Sequence, residues 1–147
     1  IEADMPIKLR NPKATRPWQH VLEPIYGYLI LGNKLYLNKN NINGESFNFG
    51  PNFKKNYSVK ELLNKIQKFI PNFKWELDIT KNKIHEAGLL NLDCRKSFKL
   101  LGWKNLLNFE QTVKMTSEWY LSYINNDDLE KFTKKQINEY ENKIIRQ

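Results

Sequence analysis

KLRNPKATRPWQHVLEPIYGY, residues Lys8–Tyr28, packs a strand end, a rigid turn and a helix start into 21 residues. Met5–Leu9 alternates polar and apolar residues as a short strand does, and Arg10-Asn11-Pro12 stops it. Pro12 and Pro17 stiffen the turn that carries Arg16, and Trp18–Leu22 reads as a second extended piece. Pro24 suits the first turn of a helix, and Ile25, Tyr28, Leu29, Leu35 and Tyr36 recur at helical spacing, which predicts a helix from Pro24 to Leu37. Strand, turn and helix this close together point to a mixed α/β chain. A planar guanidinium held in a stiff turn suits a phosphate pair better than a lysine does, although the same residue could be a plain turn arginine.

Outward from this stretch the same logic continues. Asn38–Gly44 is a loop, and Ser46–Phe49 predicts a short strand with Phe47 and Phe49 on one side and Asn48 on the other. Ser58-Val59-Lys60-Glu61 is a capping box that opens a helix with Val59, Leu62, Leu63 and Ile66 on its buried stripe. Lys74–Ile79 and Leu89–Leu92 read as strands. Asp93 is a candidate cap for a short helix to Leu101, closed by Gly102. Asn108 opens a longer helix to about Ile124, whose expected inner face is Val113, Thr116, Trp119, Tyr120 and Tyr123. Thr133–Gln136 gives a second capping-box pattern for a terminal helix carrying Ile137, Tyr140 and Ile144.

Composition bounds the rest. At 147 residues there is room for a single unit, 1–147, and 40% hydrophobic residues suffice for a core. The longest apolar run, Ile25–Leu31, is far below the ~18 residues of a membrane span, so no membrane partner is expected. Cys94 is the sole cysteine, which excludes an intrachain disulfide and suits a reducing, cytoplasmic setting. The net charge of +8 is carried by 24 basic residues, only four of them Arg, spread along the chain; a nucleic-acid module wants clustering, so no nucleic acid is expected. His20 and His85 are not spaced as metal ligands, and no metal site is expected. Glycine-rich dinucleotide and phosphate loops and a nucleophile elbow are all missing, so no catalytic residue is assigned. The opening Ile1-Glu2-Ala3-Asp4, with no Met, reads like the end of a helix and suggests the back part of a longer protein.

Lys8–Tyr28 also closely resembles a segment of the CDP-glucose 4,6-dehydratases, R-N-P-x-A-x-R-P-W-Q-H-V-L-E-P-x-x-G-Y, whose fixed letters are all met at Arg10, Asn11, Pro12, Ala14, Arg16 to Pro24, Gly27 and Tyr28. Asn48-Phe49-Gly50-Pro51, His85-Glu86-Ala87, Leu92-Asp93-Cys94, Leu101-Gly102-Trp103 and Trp119-Tyr120 follow in that family's order. The resemblance implies the C-terminal, nucleotide-sugar-binding part of an extended short-chain dehydrogenase fold, with the last helix and strand of the Rossmann domain but not its NAD-binding half. It implies an intact bacterial lyase that uses NAD to turn CDP-glucose into CDP-4-keto-6-deoxyglucose and forms a homo-oligomer through the missing domain, while this chain alone is inactive. No Tyr here has a Lys four residues later, so the family's Tyr-x-x-x-Lys pair is not carried over. By resemblance, Arg16 grips the diphosphate, Asn48 lines the same pocket, Pro6-Ile7-Lys8 flanks the base, and Lys83, His85 and Glu86 serve the diphosphate and ribose; Arg10 joins this substrate set. A related epimerase or reductase is the alternative within the superfamily. Residues 24–50 are expected to pack on the missing Rossmann sheet, leaving Phe47, Phe49 and the apolar side of the helix exposed without it.

Overall fold

Short strands made by a few alternating residues need partners from elsewhere, and the computed structural model shows which they find; it describes residues 5–37, 42–52, 55–79 and 88–146. Strand β1 (Ile7–Leu9) lies parallel to β4 (Trp75–Leu77), with Ile7 opposite Trp75 and Leu9 opposite Leu77. Strand β2 (Thr15–Arg16) runs antiparallel to β3 (Tyr57–Ser58), and Thr15 makes a further isolated bridge to Leu89. The predicted strand at Leu89–Leu92 shrinks to that single bridge. Trp18–Leu22 is not a strand either: helix α1 runs Leu22–Tyr36, two residues earlier than Pro24 suggested, and absorbs Leu22.

Helix α2 (Val59–Gln67) starts at the predicted box, with Ser58 Oγ accepting from Glu61 N–H and the Glu61 carboxylate accepting from Ser58 N–H at 2.8 Å. Its first two N–H groups, on Val59 and Lys60, donate to the carbonyls of Ala14 and Pro12. The turn leading into Arg16 is thereby docked on the helix end, where orphan donors must find acceptors. Leu9, Leu63, Ile70 and Phe73 form the core under this corner.

Helix α3 (Phe109–Ile124) is capped by Asn108, which accepts from Gln111 N–H. Its buried side is Phe109, Thr112, Val113, Met115, Ser117 and Ser122, so the expected inner face is rotated: Tyr120 and Tyr123 are exposed. Helix α4 (Leu129–Ile145) is capped by Asp128, not Thr133. Thr133 sits one turn inside, where its hydroxyl accepts from Trp119 Nε1 at 3.0 Å. The helix expected from Asp93 is a π-helical segment, Ser97–Leu101, ended by Gly102 in the left-handed region at φ 72° as expected.

Ser46–Phe49 makes no ladder among the described residues. The alternation is still obeyed, since Phe49 is buried, Phe47 half-buried and Asn48 exposed. Its polar groups go to side chains instead: Ser97 Oγ donates to Asn48 O, and Gln19 Nε2 donates to Phe49 O at 2.9 Å. Phe49 is thus buried, and Phe47 half-buried, by this chain's own residues. Both rings belong to a core with Ile42, Leu101 and Trp103, packed against α1.

Candidate functional site

Arg16 stands at the start of a strap, Arg16–Glu23, that crosses several elements. Its backbone pairs with Tyr57, and one guanidinium N–H donates to Thr15 O at 2.8 Å. Trp18 Nε1 donates to Tyr57 O at 2.9 Å, and Gln19 Nε2 reaches Phe49 O. His20 is buried, its Nδ1 accepting from Leu22 N–H at 3.4 Å, and burial pushes its pKa below the ordinary imidazole value. The strap ends at Glu23, which is 1% exposed.

Glu23 is the least expected residue of the molecule. Its carboxylate accepts from Leu107 N–H at 2.7 Å, Leu106 N–H at 2.9 Å and Tyr140 Oη at 2.9 Å, while its own carbonyl accepts from Trp103 Nε1 at 3.2 Å. Burial raises its pKa; the Leu107, Leu106 and Tyr140 hydrogen bonds oppose that. Burial, with Glu23 next to it, also holds the Tyr140 hydroxyl protonated far above its usual range. Sequence reasoning missed Glu23 because its partners lie 80 or more residues away; an acidic residue beside Pro24 in a first turn looks like ordinary dipole chemistry.

Asn48 is exposed, lines neither of the cavities described below, and precedes the Phe49 that Gln19 contacts. Its Nδ2 donates to Asp93 O at 3.2 Å, and Asp93 is paired with Arg95, which holds the Asp93 carboxyl down at about 2. A cavity of about 340 Å³ opens between Gly50–Asn52 and Asp93–Arg95, floored by Trp103. Cys94 lines it, and burial raises the thiol pKa, so it is not a ready thiolate. A second cavity of about 410 Å³ lies between Gln19–Leu22 and the facing sides of α3 and α4. Arg16 lines neither.

The structure thus brings Arg16 and Asn48 onto segments tied through Gln19 and Phe49. It puts Ile7 and Lys8, both exposed, on β1 with half-buried Pro6 before them, and exposed Arg10 just beyond. These belong to the β1–β4 pair, separate from the β2–β3 pair that seats Arg16. Lys83, His85 and Glu86 lie outside the described residues. Thr15 Oγ1 and Gln19 Oε1, on either side of Arg16, are buried with no hydrogen-bond partner among the described residues. Among those residues no group of His, Cys, Asp or Glu is placed to hold a metal, and no helix is long and apolar enough to cross a membrane.

No family model matches the chain. It is 33% identical over 141 residues, 95% of its length, to the CDP-glucose 4,6-dehydratase of Salmonella typhimurium, and spans 39% of that protein. It is 30% identical over 91 residues, 56% of its length and 25% of the relative's, to the dTDP-glucose 4,6-dehydratase of the same organism. The chain therefore spans about two fifths or less of these relatives. In fold it resembles a UDP-glucuronic acid 4-epimerase from Bacillus cereus, solved with UDP-glucuronic acid and NAD, at a TM-score of 0.64 and 19% identity over 78% of this chain and 35% of that one. A UDP-glucose 4-epimerase from Bifidobacterium longum, solved with NAD+ and UDP, gives 0.63 and 18% over 82% and 36%.

Proposed function

Because the chain belongs to the family of extended short-chain dehydrogenases that holds the nucleotide-sugar dehydratases and epimerases, we propose that it is the nucleotide-sugar-binding portion of a CDP-glucose 4,6-dehydratase. The observation that carries this reading is the seat of Arg16. It is an arginine fixed on a two-residue ladder, in a motif matched letter for letter, with one guanidinium N–H on the Thr15 carbonyl. In this reading the Arg16 fork holds the diphosphate and Asn48 lines the same pocket. Pro6-Ile7-Lys8 flanks the base and Arg10 adds positive charge at its edge. Lys83, His85 and Glu86 complete the diphosphate and ribose contacts.

The residues present do not fit the dinucleotide. Among the described residues the parallel pair β1–β4 is two three-residue strands, and no helix starts from a glycine-rich turn at a strand end. A dinucleotide crevice needs both, so NAD is assigned to a part of the parent protein beyond this chain and no step of the reaction is routed through residues described here. The chain by itself is then inactive: supplied with CDP-glucose and NAD it yields no 4-keto product, and turnover above background overturns that assignment.

Calorimetry on the parent protein tests the substrate reading. CDP-glucose binds more tightly than UDP-glucose or dTDP-glucose. Arg16→Ala weakens CDP-glucose by ~2–4 kcal/mol, since a charge-assisted contact is lost, and Arg16→Lys recovers part of it without the bidentate fork. Unchanged affinity in both variants makes Arg16 a turn residue. Tighter binding of UDP-glucose moves the chain to a related epimerase.

A further inference from the structure

The strap that begins at Arg16 ends on a group whose cost needs a reason. Glu23 is 1% exposed, and the donors around it are neutral: two peptide N–H groups and the Tyr140 hydroxyl, with Tyr26 packed edge-on against Tyr140. No cation pairs with it among the described residues. For burial alone an apolar side chain is the cheaper filler, because a desolvated carboxylate is expensive. What the carboxylate adds is direction. Three hydrogen bonds, together with Trp103 Nε1 on the Glu23 carbonyl, fix the first turn of α1 against the Trp103–Leu107 segment and against α4.

Between Glu23 and Arg16 the strap has little slack. Glu23 N–H donates to His20 O at 3.0 Å, Gln19 is tied to Phe49, Trp18 is tied to Tyr57, and Trp18 N–H returns to Arg16 O at 2.9 Å. Hydrogen bonds at His20, Gln19 and Trp18 thus hold the eight-residue strap at points from its Glu23 end to its Arg16 end. We propose that Glu23 is a positioning residue for Arg16, so that Tyr140 and the Leu106–Leu107 amides set the seat of the nucleotide-sugar contact without touching the ligand. This rests on the substrate reading given above.

A double-mutant cycle in the parent protein separates positioning from mere support of the fold. Glu23→Gln, and the milder Tyr140→Phe in case the first fails to fold, raise the CDP-glucose Kd about fivefold to tenfold, as KM with kcat unchanged. On an Arg16→Ala background neither substitution adds anything. In this chain the Arg16 Nε–Hε resonance, assigned by its loss in Arg16→Ala, shifts in Tyr140→Phe. Equal weakening on both backgrounds, or a lower melting temperature with unchanged affinity and an unmoved Arg16 resonance, overturns the proposal. If Arg16→Ala alone leaves the affinity intact, the substrate reading fails and takes this inference with it; loss in Arg16→Ala but not in Tyr140→Phe overturns this inference alone.

Discussion

Removing the Glu23 side chain strands three donors in an apolar pocket, so Glu23→Ala should lower stability by about 3–4 kcal/mol, as read from urea midpoints. Glu23→Gln keeps the shape but turns an amide toward the same N–H groups, and about 1–2 kcal/mol is expected. The pH dependence has a definite sign. The folded pKa of Glu23 is raised above the ordinary 4.5, with burial the largest cause. Its contribution is thus fully present below 4.5 and is lost as pH rises through the raised value. The stability difference between the parent chain and Glu23→Gln should therefore shrink as pH is raised from 4 toward neutrality. A difference that grows instead means the hydrogen bonds outweigh desolvation. Glu23 is a letter of the quoted motif, but nothing local names its partners, whereas the turn that carries Arg16 was legible because Pro12 and Pro17 announce it.

Among elements, those with local instructions were legible and those defined by distant partners were not. The boxes at Ser58 and Asn108 are self-contained, since each cap bonds a residue three positions on. Thr133 carries the same spacing with Gln136, but Asp128 supplies an earlier cap and the helix has already begun. Ser46–Phe49 shows why alternation is not a ladder: the pattern reports which side chains are buried, not what the backbone bonds to. Two expectations follow at this scale. Ser58→Ala should cost about 1 kcal/mol. Glu61, held at about 2 first by Lys55 and then by Ser58, contributes stability above 4.5 that is lost as pH falls toward 2, the opposite window from Glu23. With its side chain 42% exposed that contribution stays below about 1 kcal/mol, and salt should erode it. Gly27→Ala is the sharper test of α1. An added Cβ would lie 2.5 Å from the Phe49 ring, so overpacking should cost about 1–3 kcal/mol by thermal melting, and Phe49→Leu should relieve part of it. A silent Gly27→Ala would mean that α1 and the Phe47–Pro51 segment are not packed as described.

For the whole molecule, the mixed α/β class was legible from the alternation of strand, turn and helix signals, and the cores explain why the chain holds together. The outer face of α1 is what they leave over. Val21, Ile25, Leu29 and Tyr36 are 62, 43, 68 and 86% exposed and fall on one side at helical spacing, with Tyr28 at the border touching Phe49 edge-on, while the opposite side of the same helix packs on Phe49 and Trp103. Apolar surface of this extent on a lone helix drives association. We attribute it to packing of residues 24–50 against the Rossmann portion of the parent protein. The attribution is narrower than the sequence suggested, because Phe49 is already buried and Phe47 half-buried within the chain. Produced alone, the chain should therefore self-associate through α1 while Phe49 stays protected. Sedimentation should show mass rising with concentration, and Ile25→Lys with Leu29→Lys should restore a monomer without lowering the melting temperature by more than a few degrees. Covalent addition of the parent's remaining sequence should have the same effect on mass. If the unmodified chain is a clean monomer at high concentration, or if the two lysines leave association untouched, the α1 face is not the contact and the proposed packing of 24–50 loses its support.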